Sequence, residues 1–356
     1  MVSASTPRTS YTAGSRRTGM KKTVKILAIV IVFVLIAALL QRLLTPKYMT
    51  DLIEGSMVSQ YYREYGDHDV IFLGDCEVYS NYSPLKMYED YGITAYIRGS
   101  SQQLIWQSYY ILKETLRYET PKVVIFNVNS MRYSEPVSEA YNRLTIDRMR
   151  WSPEKIGIIK ASMTEEESFL SYVFPILRYH SRFDKLTGED IEYLYRTKEN
   201  TFEGYLLNME TRPVGDLPAK RPPKNYAFAE ICYDYLDRME ELCRENGIKL
   251  VLVKSPCLYP YWYEEYDEQI SSYAGEHGLI YYDLTKARDE IGLDFSTDTY
   301  DGGVHLNLYG AEKLSAYISE KLRDDLGLTD HRGEADIEAR YIEKLKEYHK
   351  ATEGEK

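Results

Sequence analysis

Five short apolar runs, separated by segments of helical periodicity, constrain this chain more than any other feature. They are 70–73 (VIFL), 93–97 (ITAYI), 122–126 (KVVIF), 249–254 (KLVLVK) and 279–282 (LIYY). Such runs, apolar on successive residues rather than alternate ones, are what strands covered on both faces look like. Helical patterns at 84–91, 101–118, 228–246, 264–277 and 308–326 alternate with them. This order predicts an α/β, flavodoxin-like three-layer sandwich built on a five-stranded, mainly parallel sheet. At 356 residues the chain is long enough to bury a sizeable core.

Residues 131–225 interrupt the alternation with helical patches at 139–150, 153–162, 165–180 and 189–197, followed by a Pro-rich loop at 212–224. They read as a helical insertion, and a loop of that length points to a function or a partner contact. A Tyr-rich polar connector, 45–68, precedes the α/β domain at 69–328, and the charged helix at 329–356 reads as a solvated C-terminal appendage. The chain has 35 Tyr against 9 Phe, which reads as amphipathic surface and packing.

The segment 26–41 (ILAIVIVFVLIAALLQ) carries no charge, and 23–44 has about the ~20 residues a bilayer crossing needs if Lys25 and Arg42 snorkel. Residues 26–44 therefore read as a membrane anchor, with 1–25 a basic leader. Six basic residues precede the segment and two follow it, so the positive-inside bias predicts a cytoplasmic N-terminus and an extracytoplasmic body. A cleaved signal peptide is the rival reading, but the Gln41-Arg42-Leu43-Leu44-Thr45-Pro46 end has no small-x-small cleavage site.

The charge balance is 44 Lys+Arg against 55 Asp+Glu, or −11. Eight basic residues precede the first acid, Asp51, leaving about −19 on the remainder, which argues against a nucleic-acid partner. Of the four cysteines, Cys232 and Cys243 would lie about 16 Å apart on one helix, and Cys243 with Cys257 is the pairing left open. The six His are scattered, with no metal-type clustering with Cys, so no metal and no cofactor is expected. No Gly-rich phosphate loop follows any strand, which counts against a nucleotide binder.

In a doubly wound sheet, chemistry collects at the carboxyl ends of the strands. There the sequence offers Gly74-Asp75-Cys76-Glu77, then Arg98-Gly99-Ser100-Ser101, then Asn127-Val128-Asn129-Ser130, and, before the last helix, Asp301-Gly302-Gly303-Val304-His305. These are the parts of an acyl-transfer site. Cys76 would attack, His305 would carry the proton, and Asp301 would orient the imidazole. The backbone amides of Cys76 and Gly99 and the side chain of Asn129 would hold the oxyanion. Asp298 or Asp294 could replace Asp301, or Cys76 and His305 could act as a dyad. Asp75 and Glu77 are candidate substrate contacts. Tyr259, Tyr261, Trp262 and Tyr263, after the fourth run, suit either stacking on sugar rings or a hydrophobic lid. His180 reads as packing in the insertion or as facing the cleft.

The order Gly-Asp-nucleophile, Gly, Asn, Asp…His resembles the SGNH/GDSL hydrolase superfamily. More narrowly, the anchor, "YSNYSP" after the first motif, the helical insertion and the closing "HLNLYGAEKLS" resemble its membrane-anchored DltD-like and AlgX/AlgJ-like group. The resemblance spans roughly residues 65–328. It implies acyl transfer or ester hydrolysis on a cell-surface polysaccharide or cell-wall polymer, beside a membrane-bound O-acyltransferase. Two positions depart from the pattern. Cys76 stands where the superfamily has Ser, and position 302, three before the His, is Gly rather than the usual acid. The chain is therefore expected to be an acyl-transfer enzyme working through a thioester, or a scaffold of the same fold that only binds.

Overall fold

The computed structural model describes residues 13–47, 57–136, 138–196 and 201–353, with side chains from residue 21. Residues 1–12 of the basic leader, the connector at 48–56 and the last three residues of the tail lie outside them. Two compact units are distinguished: one comprises 13–45 with 174–196, the other the remainder.

In the smaller unit, the helix Ala13–Leu44 contains a 24-residue stretch, Lys21–Leu44, long and apolar enough to cross a membrane, and its apolar side chains are exposed. Short helical turns at Ile176–Tyr179, His180–Lys185 and Gly188–Glu192 pack at its C-terminal end.

The larger unit is α/β. Strands β1 (Val70–Gly74), β2 (Ala95–Gly99), β3 (Val123–Asn127), β4 (Lys249–Lys254) and β5 (Ile280–Asp283) form one all-parallel sheet in the order β2-β1-β3-β4-β5. Successive side chains leave a strand on opposite faces, so two apolar layers form. Ile71, Leu73, Val124, Phe126, Leu250 and Leu252 pack under the helices Ile105–Thr115, Pro153–Ser162 and Glu230–Glu245. Val70, Phe72, Val123, Ile125, Val251 and Val253 pack under Cys76–Asn81, Pro84–Tyr91 and Leu308–Leu326.

The second strand begins two residues later than the apolar run suggests. Ile93 N donates to Met87 O to close the preceding helix, and Thr94 O accepts from Val70 N, so pairing continues to Gly99 opposite Gly74. The long helix starts at Ile105 rather than 101, because Ser100–Gln103 turns with Gln102 at φ 53°.

Three expectations are corrected. The C-terminal helix Ala335–Glu353 is no appendage: Tyr341 and Tyr348 are buried in the second layer, and Tyr341 stacks on Tyr88 with centroids 4.0 Å apart. The connector is not merely polar either, since Val58, Tyr61 and Tyr62 belong to the first layer. All four cysteines are free: Cys243 is buried in the first layer, and the Cys257 sulfur lies 3.5 Å from both Lys254 Nζ and Pro260 O.

Candidate active site

The strands end together, and the polar residues that follow them meet at that edge. Cys76 opens the helix Cys76–Asn81 immediately after β1. Asp75 caps that helix by accepting from Glu77 N at 3.1 Å. Gly74 and Gly99, at the ends of β1 and β2, are needed for close approach. A Cβ on Gly99 would lie 2.4 Å from Val78 Cγ2 and 3.0 Å from Gly74 O, and one on Gly74, at φ 151°, would lie 2.9 Å from Asn127 Cβ.

His305 sits on the loop before the last helix, which Asn307 caps. Its Nδ1 is 2.7 Å from Asp301 Oδ2, and its backbone amide donates to Asp301 Oδ1 at 2.8 Å. The glycines Gly302 and Gly303, at φ 80° and 97°, give the turn that brings an acid four residues back onto the imidazole. Burial works against the Asp301 charge, yet the hydrogen bonds from His305 and Val304 hold its carboxyl below the usual range. Tyr300 stacks parallel on the imidazole with centroids 5.8 Å apart. His305 Nε2 is buried and has no hydrogen-bond partner among the described residues. Asp298 is instead bound to Lys313 at 2.6 Å, and Asp294 accepts from Ser296, so neither alternative acid serves His305.

The helix of Cys76 and the loop of His305 are joined. Asn81 Oδ1 accepts from Leu306 N at 2.9 Å, and Ser80 Oγ lies 3.2 Å from Tyr300 OH. The Cys76 thiol is half-buried. Burial first, then the charges of Asp75 and Glu77 with a smaller part from Asp301, push it well above the ordinary thiol value, against a lowering by its own backbone amide. The thiol is thus held protonated until a base takes its proton.

Asp75 and Glu77, expected as candidate substrate contacts, are buried and bonded to other side chains of the domain. Asp75 Oδ2 accepts from Asn129 Nδ2 at 2.5 Å and its Oδ1 from Asn127 Nδ2 at 3.2 Å. Both oxygens of Glu77 lie 2.8 Å from Lys254 Nζ, which also donates to Ser255 O at 2.8 Å. Burial opposes the Lys254 charge, but Cys257 and Glu77 raise its pKa. A buried ion pair, which Asn127 links to Asp75 by donating to Glu77 Oε2 at 2.8 Å, therefore underlies the nucleophile position. Lys254 and Asn127 were not anticipated, although a lysine closing an otherwise apolar strand was a visible signal.

Asn129, in the 3-10 turn Val128–Arg132, commits one amide hydrogen to Asp75, leaves a second hydrogen, and has its oxygen buried without a partner among the described residues. Tyr259, Tyr261 and Tyr263 line a groove of about 520 Å³ with Arg132, Arg221 and Tyr266. Two of its lining residues reach the site: Arg132 Nε donates to Asn129 O at 3.3 Å, and Tyr259 N to Gly303 O at 3.3 Å. Trp262 is not part of the groove. It packs against the first core layer and stacks on Phe228, as a lid would. His180 is exposed, its Nδ1 3.2 Å from Leu177 O, so it is not a packing residue. A group not foreseen, Asp237, Glu240 and His277, also comes together, but it is largely exposed and already bonded internally and to Tyr273.

No known family's sequence model matches the chain, and no curated protein matches it. Solved structures similar to it include a proposed acylhydrolase from Bacteroides fragilis, at 12% identity over 75% of this chain and 95% of that one, with a TM-score of 0.37. Another is a GDSL-like lipase from Bacteroides thetaiotaomicron, at 12% identity over 75% of this chain and 97% of that one, with a TM-score of 0.34.

Proposed function

We propose that this chain is a membrane-tethered, extracytoplasmic acyl-transfer or ester-hydrolysing enzyme of the SGNH/GDSL type, acting on a cell-surface glycan or cell-wall polymer through Cys76. One observation carries the reading: a partly buried imidazole, fixed at Nδ1 by Asp301 and with Nε2 buried and unpartnered among the described residues, on a loop hydrogen-bonded to the helix that Cys76 opens. That is the requirement for a general base beside a nucleophile.

In this scheme the Cys76 S–H proton passes to His305 Nε2 as sulfur attacks the ester carbonyl carbon. The oxyanion is held by the amides of Cys76 and Gly99 and the remaining Asn129 N–H. The C–O bond of the leaving alcohol then breaks, and His305 returns the proton to that oxygen. Attack of water or a sugar hydroxyl on the thioester, with His305 taking its proton and passing it to the departing sulfur, completes the cycle. The raised thiol pKa suits a concerted transfer to His305 rather than a standing thiolate. The tyrosine-lined groove offers rings and polar tips to a saccharide. A membrane-bound O-acyltransferase would supply the acyl group.

The second reading, a non-turning-over scaffold, is favoured by one observation: the charges of Asp75, Glu77 and Asp301 all oppose a thiolate at Cys76, which stands in place of the usual hydroxyl. Intact mass of the full chain in detergent, after brief exposure to an activated acetyl ester, separates the two. An adduct on Cys76 that needs His305 and turns over supports the enzyme. Labelling no faster than an ordinary thiol and indifferent to His305→Ala, with esterase activity gained by Cys76→Ser, would replace it with the scaffold.

A further inference from the structure

We propose that residues 174–196 form a collar that lies in the lipid headgroup and upper acyl region around the outer end of the anchor helix, giving this protein a second membrane contact. The inference rests on the reading of residues 26–44 as a membrane span and goes beyond the active site.

The collar belongs to the same compact unit as the anchor. Arg42, in the anchor's last turn, donates to Tyr193 O at 3.1 Å and lies 5.6 Å from the centre of the Tyr193 ring. Arg182 donates to Leu44 O, one of the carbonyls that a helix end leaves without an intrahelical partner. Arg182 is in turn paired with Asp190 at 3.2 Å, so both halves of the segment are tied to the helix terminus.

Position along the helix fixes the depth. The stretch from Thr23 to Leu44 rises about 33 Å at 1.5 Å per residue, close to the ~30 Å of a hydrocarbon core. Whatever is bonded to Arg42 and Leu44 is therefore held within about a turn of the hydrocarbon boundary.

The segment's surface suits that depth. Phe174, Leu177, Phe183, Ile191 and Tyr195 are all exposed, Phe183 at 72% and Tyr195 at 78%. Exposed large apolar side chains in the larger unit are spread much more thinly along the chain. Clustered exposure of this kind marks an interaction surface, and aromatic side chains favour the membrane–water boundary. The segment carries four basic residues (Arg178, Arg182, Lys185, Arg196) and four acidic ones (Asp184, Glu189, Asp190, Glu192). This balance points to an apolar contact with lipid rather than an electrostatic one with anionic headgroups.

The test uses the full chain in phosphatidylcholine vesicles that contain a phosphatidylcholine with a photoactivatable diazirine near the carbonyl end of one acyl chain. Labelled peptides are mapped by mass spectrometry, with the buried strand Val70–Gly74 as background. Label over both 26–41 and 174–196, unchanged by added salt, is the expected result. The combined change Leu177→Ser, Phe183→Ser and Ile191→Ser should abolish label over 174–196 and keep it over 26–41, which also shows that the variant has inserted. Label over 26–41 alone in the unaltered chain would overturn the collar, leaving a protein partner as the occupant of that surface. Label over neither would overturn the membrane span, and the collar with it.

Discussion

Asp301 holds His305 at two points at once: one carboxylate oxygen lies 2.7 Å from the imidazole Nδ1 and the other accepts the backbone amide of the same residue at 2.8 Å. Side chain and main chain are thereby fixed by a single group, and the ring is left with Nε2 as its only free position. The spacing of four residues, unusual for the SGNH pattern, is absorbed by the left-handed glycines at 302 and 303.

Asp301→Asn tests that arrangement. The amide preserves the shape but removes the charge that stabilises an imidazolium, and its NH₂ can turn toward Nδ1 and impose the wrong tautomer. If Cys76 and His305 turn over esters, kcat should fall by about 10²–10⁴-fold with KM little altered. The same measurement on Asp298→Asn, whose carboxylate is bound to Lys313, should show no comparable loss of kcat.

Gly99→Ala probes the spacing between β2 and the helix of Cys76. The added methyl would meet Val78 Cγ2 at 2.4 Å and the Gly74 carbonyl at 3.0 Å. The helix must then move off the sheet, at a cost of about 1–3 kcal/mol. Denaturant midpoints should show that cost, and Val78→Ala in the same chain should recover part of it by opening space on the side-chain contact.

The parts of the site that were legible in the sequence are the local ones. Asp301 and His305 are four residues apart, and Cys76 comes three residues after the end of an apolar run, so spacing alone brings them into view. Glu77 and Lys254 are 177 residues apart. Nothing local distinguishes a glutamate aimed at solvent from one buried on a lysine, so the sequence alone offers Glu77 as a substrate contact. The C-terminal helix was legible in principle: Ile337, Tyr341, Leu345 and Tyr348 form one apolar stripe at helical spacing. Their partners, Tyr88 among them, lie some 250 positions earlier, and the charged residues between dominated the reading.

Lys254→Met tests the buried pair. Removing the cation leaves the buried Glu77 charge without a counter-ion, beside Asp75 and with Asn127 as its amide donor, which should cost about 3–5 kcal/mol. Glu77→Gln added to Lys254→Met should restore most of that stability, since Asn127 Nδ2, now 2.8 Å from Glu77 Oε2, can still donate to an amide oxygen. A double-mutant cycle on denaturant midpoints measures the coupling. A strictly additive pair of losses would show that the two charges do not support each other.

His68 gives the fold a pH dependence of calculable sign. Its ring is fully buried, with Nδ1 2.9 Å from Glu119 and Nε2 3.6 Å from Glu203. Glu203 is also bonded to Lys344 of the C-terminal helix, so the cluster ties the start of the domain to its end. Burial opposes the imidazolium, but the hydrogen bond to Glu119 and the charges of both carboxylates outweigh it and raise the His68 pKa to about 9. An unfolded histidine titrates near 6.5. The folded state therefore binds the proton more tightly, and stability falls as pH rises wherever the folded state holds more protons. The contribution, about 3 kcal/mol, should be complete below pH ~6.5 and disappear as pH rises through about 9. Denaturant midpoints of the full chain in detergent, taken at intervals from pH 6 to pH 10, should decline across that window, and His68→Gln should flatten the decline. A midpoint in the unaltered chain that does not fall across that range would show that the ring is not held as a cation between the two glutamates.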